Sequence, residues 1–134
     1  MEVIFYEKPG CINNTKQKMM LLEAGHNLKI FSLLTYHWNK EELRSFFEGL
    51  PLPQWFNPTA PAIKKGEIKP DELTEDSALN AMLKDPLLIR RPLIEANGIR
   101  ICGFDNPLVE ELTNHTDVSH VLSCPNAAKQ QNCN

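Results

Sequence analysis

Apolar and polar positions along the first third of the chain predict a strand, a helix and a second strand. The run from Val3 to Tyr6 is β-branched and aromatic, which is typical of a short buried strand. Asn13 or Asn14, both good N-caps, then begins a helix that Gly25 closes. The alternation from Leu28 to Leu33 predicts the second strand. On the apolar side of the helix we expect Met19, Met20, Leu22 and Ala24.

The middle of the chain predicts two further helices around a proline-rich loop. Asn39 is the expected cap of a helix over Lys40 to Glu48. The four prolines between Pro51 and Pro61 exclude long regular structure there. Asp71 is the expected cap of the next helix, which Asp85-Pro86 ends. The residues expected to face inward from the first of these helices are Leu43, Phe46 and Phe47.

The last part of the pattern predicts a hairpin and a final helix. Asn97-Gly98 separates two short apolar segments, residues 93–95 and 99–101, as the turn of a β-hairpin does. Asn106-Pro107 then begins a helix, with proline at its first position. An early βαβ unit and a late hairpin together give a mixed four-stranded sheet flanked by helices. This α/β arrangement is the thioredoxin-like, or glutaredoxin-like, architecture.

Composition narrows the class of protein. The 134 residues are 42% hydrophobic and 23% charged, which suits one globular domain and excludes a fully disordered chain. The net charge of −3 gives no reason to expect nucleic-acid binding. We expect no membrane span, because no apolar run approaches the ~20 residues required, and a cytoplasmic location, because the N-terminus is too short and acidic for a signal peptide. The predicted domain covers residues 1–120, and the polar residues 121–134 are predicted to form a flexible tail.

Cys11 is the first candidate for chemistry, because it falls between the first strand and the first helix. The unpaired N–H groups and the dipole of a helix N-terminus stabilise a thiolate, which is the nucleophilic form of cysteine. Asn13, Asn14 and Thr15 are candidates to bond the sulfur or a bound oxyanion. The alternative is a small residue that fills a turn. Asn14 stands where a CxxC motif would have its second cysteine, so a dithiol within this loop is excluded.

Arg91 is the second candidate, in the segment Arg90-Arg91-Pro92 just before the hairpin. If the bond to Pro92 is cis, it would place the preceding arginine close to the Cys11 loop. A guanidinium there would bind an oxyanion through two parallel hydrogen bonds. The alternative is a solvated pair of surface arginines.

These residues resemble the arsenate reductase family of the glutaredoxin-linked, Spx-related type. The segments that carry the resemblance are YEKPGC at 6–11, LLIRRPL at 87–93 and GIRICGF at 98–104, and it extends over about residues 1–115. It implies that Cys11 is the nucleophile, Arg91 an oxyanion-binding arginine and Pro92 a cis-proline. Residues 50–67, the segment 85–92 and the cysteine-containing tail look like the branch called nitrogenase-associated proteins, which implies a link to nitrogen fixation.

The chain departs from the reductase pattern at three positions. Glu7 stands where the reductases have a histidine, Asn57 aligns best with a second arginine, and Gly103 stands where the third arginine would follow the hairpin. Arsenate is an anion and needs cationic partners, so we do not expect efficient arsenate reduction. Glu7 should also disfavour a thiolate nearby. The lysines that would replace the missing charge in part are Lys8, Lys64 and Lys65.

The tail carries Cys124 and Cys133, with His115 and His120 upstream. These are zinc or iron–sulfur ligand types, but their spacing matches no closed zinc module, so free thiols are favoured and no metal or cofactor is expected. A tail thiol that resolves a mixed disulfide on Cys11 is a further alternative, because the cost of closing a loop grows slowly with its length.

Two functions remain open on the sequence. The favoured one is a binding or accessory factor in nitrogen fixation, with a protein partner, that keeps the redox fold as a scaffold. The alternative is a thiol oxidoreductase in which Cys11 attacks a small oxidant or forms a mixed disulfide with glutathione, the candidate co-substrate, while Arg91 binds the anion. A regulator that contacts RNA polymerase, as Spx-type relatives do, is a weaker third hypothesis, because those relatives use a CxxC motif.

Overall fold

A four-stranded mixed sheet organises the part of the chain that the structure, a computed structural model, describes: residues 1–114 and Val121. Its strands are β1 (Glu2–Glu7), β2 (Asn27–Ser32), β3 (Leu93–Ala96) and β4 (Ile99–Cys102). The order across the sheet is β2-β1-β3-β4, with β1 and β2 parallel and the other pairs antiparallel. The predicted fold class is therefore confirmed.

Five α-helices accompany these strands within the described residues: α1 (Ile12–Glu23), α2 (Lys40–Arg44), α3 (Pro61–Lys64), α4 (Glu75–Lys84) and α5 (Pro107–Leu112). Alternate residues of β1 contribute to two different hydrophobic clusters, because successive side chains of a strand point to opposite faces. Val3 and Phe5 pack in one cluster with Leu21 of α1 and Val109 of α5. The other cluster lies under α2 and α4, on the opposite face. No helix among the described residues has the length and apolar character that a membrane span requires.

The predicted start and buried side of the first helix are wrong. Cys11 is the N-cap of α1, in place of Asn13 or Asn14. Met19 and Leu22 are 54% and 53% exposed, whereas the buried residues of α1 are Asn13, Asn14, Gln17 and Leu21. The buried side chains are mostly amides that hydrogen-bond inside the protein, so hydrophobicity did not reveal this face.

The middle segment also differs from the prediction in detail. Asp71 lies in a short 3₁₀ turn, and Thr74 caps α4 by accepting a hydrogen bond from the backbone N–H of Ser77. The helix expected over residues 40–48 changes at Ser45 into a 3₁₀ turn over Ser45–Phe47. The Ser45 hydroxyl donates to the carbonyl of Glu42, a local bond that competes with helix continuation. The proline-rich segment contains a 3₁₀ turn over Leu52–Trp55 and the short helix α3.

The other predicted elements are confirmed. The Asn39 side chain caps α2, and Asn106 caps α5. Asn97 and Gly98 both have positive φ, as the tight turn between β3 and β4 requires. The residues of the middle segment expected to face inward are buried: Leu43, Phe46 and Phe47.

The predicted tail lies outside the described residues, apart from Val121. This valine is fully buried in the cluster with Phe5 and Leu21, and its carbonyl accepts a hydrogen bond from the Gln17 side chain. The packed domain therefore includes Val121, the first residue of the tail predicted from the sequence. The flexibility predicted for the tail, and the predicted roles of Cys124 and Cys133, are not tested by the structure.

Candidate thiol site

Cys11 lies at the end of a tight turn between β1 and α1. Its backbone N–H donates to the carbonyl of Lys8, and Gly10 has a φ of +84°, a conformation that favours glycine. The Cys11 carbonyl accepts from the N–H of Thr15, the first turn of the helix. The cysteine is 3% exposed. The chain geometry therefore holds the thiol at the helix N-terminus, as expected, but almost out of contact with solvent.

Arg91 lies beside the same turn, because of the register between β1 and β3. Tyr6 is paired with Leu93 in this antiparallel pair. Arg91 and Pro92 therefore precede β3 at the same end of the sheet where β1 continues into the turn of residues 8–11. The Arg91–Pro92 peptide bond is cis, as the resemblance to the reductases implied. The Arg91 side chain is partly buried.

Lys8 connects the two predicted residues electrostatically. Burial lowers the pKa of Lys8 below its ordinary value, and repulsion from the Arg91 guanidinium lowers this pKa further. A negative charge on Cys11 acts in the opposite direction and raises the pKa of Lys8. Lys8 therefore lies within electrostatic range of both Cys11 and Arg91. The site combines one thiol with two cationic side chains.

Glu7 does not present a bare charge to this site. Its carboxylate forms a salt bridge of 2.5 Å with the Nζ atom of Lys18 on α1, and both side chains are at most 20% exposed. The sequence suggested that the negative charge of Glu7 disfavours a thiolate at Cys11. The positive charge of Lys18, seven residues after Cys11, offsets that effect.

Asn14 and Thr15 bond the loop itself. The Asn14 Oδ1 atom accepts from the backbone N–H of Lys8, and its Nδ2 atom donates to Gln17. The Thr15 hydroxyl donates to the carbonyl of Cys11. Asn13 is buried next to them. These bonds fix the turn that carries Cys11, and the oxyanion role expected for the three residues stays a prediction.

Asn57 and Gly103, which stand where the reductase pattern has arginines, have different local structures. Asn57 is 8% exposed; its amide nitrogen donates to the carbonyl of Leu87, and its Oδ1 atom accepts from both the N–H and the hydroxyl of Thr59. Gly103 has a φ of +88°, and a Cβ atom there would lie 2.9 Å from Nη2 of Arg90. Asn57 is therefore part of a loop framework, while Gly103 leaves room for the neighbouring arginine.

Cys102 is a structural thiol. Burial raises its pKa to about 12, and its Sγ atom donates to the carbonyl of Arg90 at 3.3 Å. A thiol that stays protonated at neutral pH is a poor nucleophile. Cys102 is thus unsuited to resolve a mixed disulfide on Cys11.

Comparison with known proteins assigns the family. The ArsC family model matches residues 10–112, which is most of the chain. The chain belongs to the ArsC family. This confirms the resemblance to the arsenate reductase family found in the sequence.

Individual ArsC relatives cover nearly the same length. A Rhodospirillum rubrum protein, named only as an uncharacterized 15.7 kDa protein in the draG 3′ region, is 41% identical over 98% of this chain and 94% of its own. The crystal structure of an ArsC family related protein from Bacteroides fragilis has a TM-score of 0.72 at 24% identity, covering 84% of this chain and 98% of its own. An arsenate reductase from Vibrio cholerae has a TM-score of 0.69 at 21% identity, covering 87% and 98%. The two structures support the thioredoxin-like fold.

Two features of the site were missed in the sequence. Gln17 stabilises the Cys11 loop through Asn14, and its only signal was a polar residue three positions after Asn14 on the same helix face. Arg90 and Arg91 have separate partners, which the dipeptide alone did not indicate: Arg90 pairs with Asp105, and Arg91 lies by Lys8.

Proposed function

We propose that this chain is a single-cysteine thiol oxidoreductase that acts on mixed disulfides of glutathione. The observation that carries the proposal is the grouping of Lys8 and Arg91 with Cys11 at the N-terminus of α1. Neighbouring cations and a helix N-terminus favour the thiolate over the thiol. The same cations suit the carboxylates of glutathione.

The reaction needs two exchanges. The Cys11 thiolate, having lost its proton to solvent, attacks the glutathione sulfur of a mixed disulfide; the S–S bond breaks, and the other sulfur leaves as a thiolate. Cys11 then carries glutathione. A second glutathione thiolate attacks that glutathione sulfur, which releases oxidised glutathione and restores Cys11. The substrate is released as a reduced thiol, one free glutathione is consumed, and it leaves joined to the glutathione of the substrate as oxidised glutathione.

The arsenate chemistry of some family members is a poorer match to this site. Asn57 and Gly103 supply no cation where the reductase pattern has arginines. An arsenate ion would therefore lose much of the charge-assisted hydrogen bonding on which its binding depends. A thiol–disulfide exchange needs an activated thiolate and makes no such demand.

The test is the formation of a mixed disulfide at Cys11. The intact protein is incubated with oxidised glutathione near neutral pH, and the modified peptide is identified by mass spectrometry. We expect modification at Cys11 and its absence at position 11 in Cys11→Ser. Lys8→Met and Arg91→Met should each slow the reaction roughly three- to tenfold, because each removes a cation next to the thiolate.

Lys84→Met is the matched control, since Lys84 is exposed at the C-terminal end of α4 and is not part of the β1–α1 turn. It should react at the wild-type rate. The proposal is wrong if native Cys11 reacts no faster than the same cysteine in the denatured chain, or if all three lysine and arginine variants react alike.

An accessory role in nitrogen fixation is the second candidate. It is favoured by the Rhodospirillum rubrum relative, whose name places its gene in the draG 3′ region, and by the resemblance to the nitrogenase-associated branch. The experiment is deletion of that relative's gene, followed by complementation with this chain or with Cys11→Ser. A growth defect on dinitrogen that both versions rescue supports a scaffold role; rescue by the wild type alone supports the thiol chemistry. No defect on dinitrogen contradicts the accessory role.

A further inference from the structure

A cleft of about 390 Å³ opens next to the loop that carries Arg91. Arg90 and Asp105 provide its charges, and Arg90 is directly joined to Arg91 along the chain. The apolar part of its wall comes mainly from Pro53, Phe56, Pro58 and Ile63. A cleft of this volume is within the size range of small-molecule sites. The Phe56 ring and the prolines give the cleft a stiff wall.

The cleft forms where the chain departs from the reductase pattern. Phe56 and Pro58 flank Asn57, the position of one absent arginine. Gly103, the position of the other, lies under the Arg90 side chain, and a Cβ atom there would come within 3.0 Å of both Arg90 and Asp105. The substitution by glycine thus allows the Arg90–Asp105 pair to occupy this place.

The charges of the cleft sum to zero. The Nη2 atom of Arg90 lies 2.9 Å from Oδ1 of Asp105, and the two side chains are 26% and 47% exposed. The guanidinium has five N–H donors, and the carboxylate has two oxygens, so both groups can bind a ligand while they remain paired. A lone anion gains little from such a pair, whereas a ligand that carries both charges can match it.

We propose that the cleft binds the α-amino-acid end of a small thiol or disulfide, with the ligand carboxylate on Arg90 and the ligand ammonium on Asp105. The apolar wall would then cover the methylene groups next to these charges. The γ-glutamyl end of glutathione has this chemistry. The inference rests on the proposed function for its choice of a sulfur-containing ligand, and it makes Arg90 and Asp105 residues that determine specificity.

The experiment measures binding without chemistry, in the full chain carrying Cys11→Ser. The probe is oxidised glutathione, and chemical shift changes of backbone amides are followed during titration. Bis(2-hydroxyethyl) disulfide, which has no charge, and dithiodiglycolate, which has carboxylates and no ammonium, are the comparison ligands. We expect shifts of the residues lining the cleft with oxidised glutathione and much weaker binding of both comparison ligands.

Asp105→Asn and Arg90→Gln separate the two charges. Each should weaken binding of oxidised glutathione about three- to tenfold, since each removes one partly exposed ionic contact. Asp105→Asn should strengthen the weak binding of dithiodiglycolate, because that ligand has no ammonium and the variant removes the carboxylate that repels it and pairs with Arg90. Glu67→Gln, an exposed surface change, is the control and should bind as Cys11→Ser alone does.

The two proposals fail separately. The cleft proposal is overturned, even if Cys11 forms mixed disulfides, by equal affinity for all three ligands. It is also overturned if Asp105→Asn and Arg90→Gln bind oxidised glutathione as tightly as Cys11→Ser alone. Charge-dependent binding to Cys11→Ser, combined with an unreactive Cys11 in the wild type, supports the cleft and overturns the oxidoreductase.

Discussion

The two buried cysteines show how environment decides what one residue type does. Cys11 caps a helix beside two cations, whereas Cys102 is the last residue of the edge strand β4 and donates to a carbonyl. Burial raises the pKa of Cys102 to about 12 because the charged form would lose its hydration. The sequence distinguishes them only by position: one follows the first strand, the other lies within the hairpin.

The raised pKa of Cys102 gives a prediction for stability in alkali. As the pH rises above 9.0, the ordinary pKa of a cysteine thiol, the unfolded chain releases this proton while the folded chain keeps it, up to about pH 12. The folded state then binds more protons, so the free energy of unfolding falls as the pH rises. We expect a loss on the order of 1 kcal/mol from this group at pH 10. Chemical denaturation at pH 7 and pH 10 measures it.

Cys102→Ala is the reference for this measurement. The variant lacks the titrating thiol, so its stability should fall by less between the two pH values than that of the wild type. A parallel decline of both proteins would contradict the pKa shift. As an independent observation, an alkylating reagent at pH 8 should modify Cys102 only after unfolding.

Helix α1 shows what hydrophobic periodicity can and cannot reveal about an element. Its existence and its end at a glycine followed from the pattern. Its buried side did not, because Asn14 and Gln17 are buried through hydrogen bonds, and Met19 is exposed. An amide network satisfies polar groups in the interior, and no periodicity of apolar residues marks it. The result is a polar interior face at the end of the helix that carries the thiol.

The amide network predicts an asymmetric cost of mutation on the two faces of α1. Gln17 donates to the carbonyl of Val121 at 2.7 Å and accepts from Asn14, which in turn accepts from the N–H of Lys8. Gln17→Leu would leave buried polar groups on both sides without their partner, at a cost of about 1–3 kcal/mol in the free energy of unfolding. Urea denaturation followed by tryptophan fluorescence measures this value.

Met19→Gln, on the exposed side of the same helix, is the matched control and should change stability by no more than about 0.5 kcal/mol. Since the network ends at the Cys11 loop, Gln17→Leu should also alter the rate at which Cys11 forms a mixed disulfide. Equal stability of the two variants would show that the network does not stabilise the fold.

Other elements show the same division between local signals and tertiary context. The hairpin turn and the caps at Asn39 and Asn106 followed from short motifs that act within a few residues. The cap of α4, Thr74 in place of Asp71, could not be chosen from the sequence. Both residues are good caps, and the structure begins the helix only after a 3₁₀ turn that includes Asp71. For the site, Cys11, Arg91 and the cis bond at Pro92 could be placed through motif and topology. That the Arg90 side chain pairs with Asp105 over Gly103, and not with the partners of Arg91, could not be predicted. Both residues lie more than ten positions from Arg90 in the sequence.

At the scale of the whole molecule, the chain keeps the frame of its family and changes what lies around the thiol. Cys11, Arg91 and Pro92 match the reductase pattern, while the positions of two arginines carry Asn57 and Gly103. Both replacements take part in the surrounding structure. Asn57 secures the loop between Phe56 and Thr59, and Gly103 donates its N–H to the carbonyl of Pro92. The loss of the two arginine charges is therefore accompanied by new hydrogen bonds in the loops around the site.

This integration predicts that the family's arginine cannot simply be restored at position 57. Asn57→Arg would remove the bonds to Leu87 and Thr59 and place a long charged side chain at a position that is 8% exposed. We expect a loss of about 2–4 kcal/mol in the free energy of unfolding, from buried groups left unpaired and from the buried charge. Lys65→Arg, at an exposed position, should be nearly neutral. Urea denaturation compares the two, and arsenate reduction with glutathione is assayed in parallel. An Asn57→Arg protein as stable as the wild type that gains arsenate reduction would contradict this view and show that one missing charge separates this chain from the reductases.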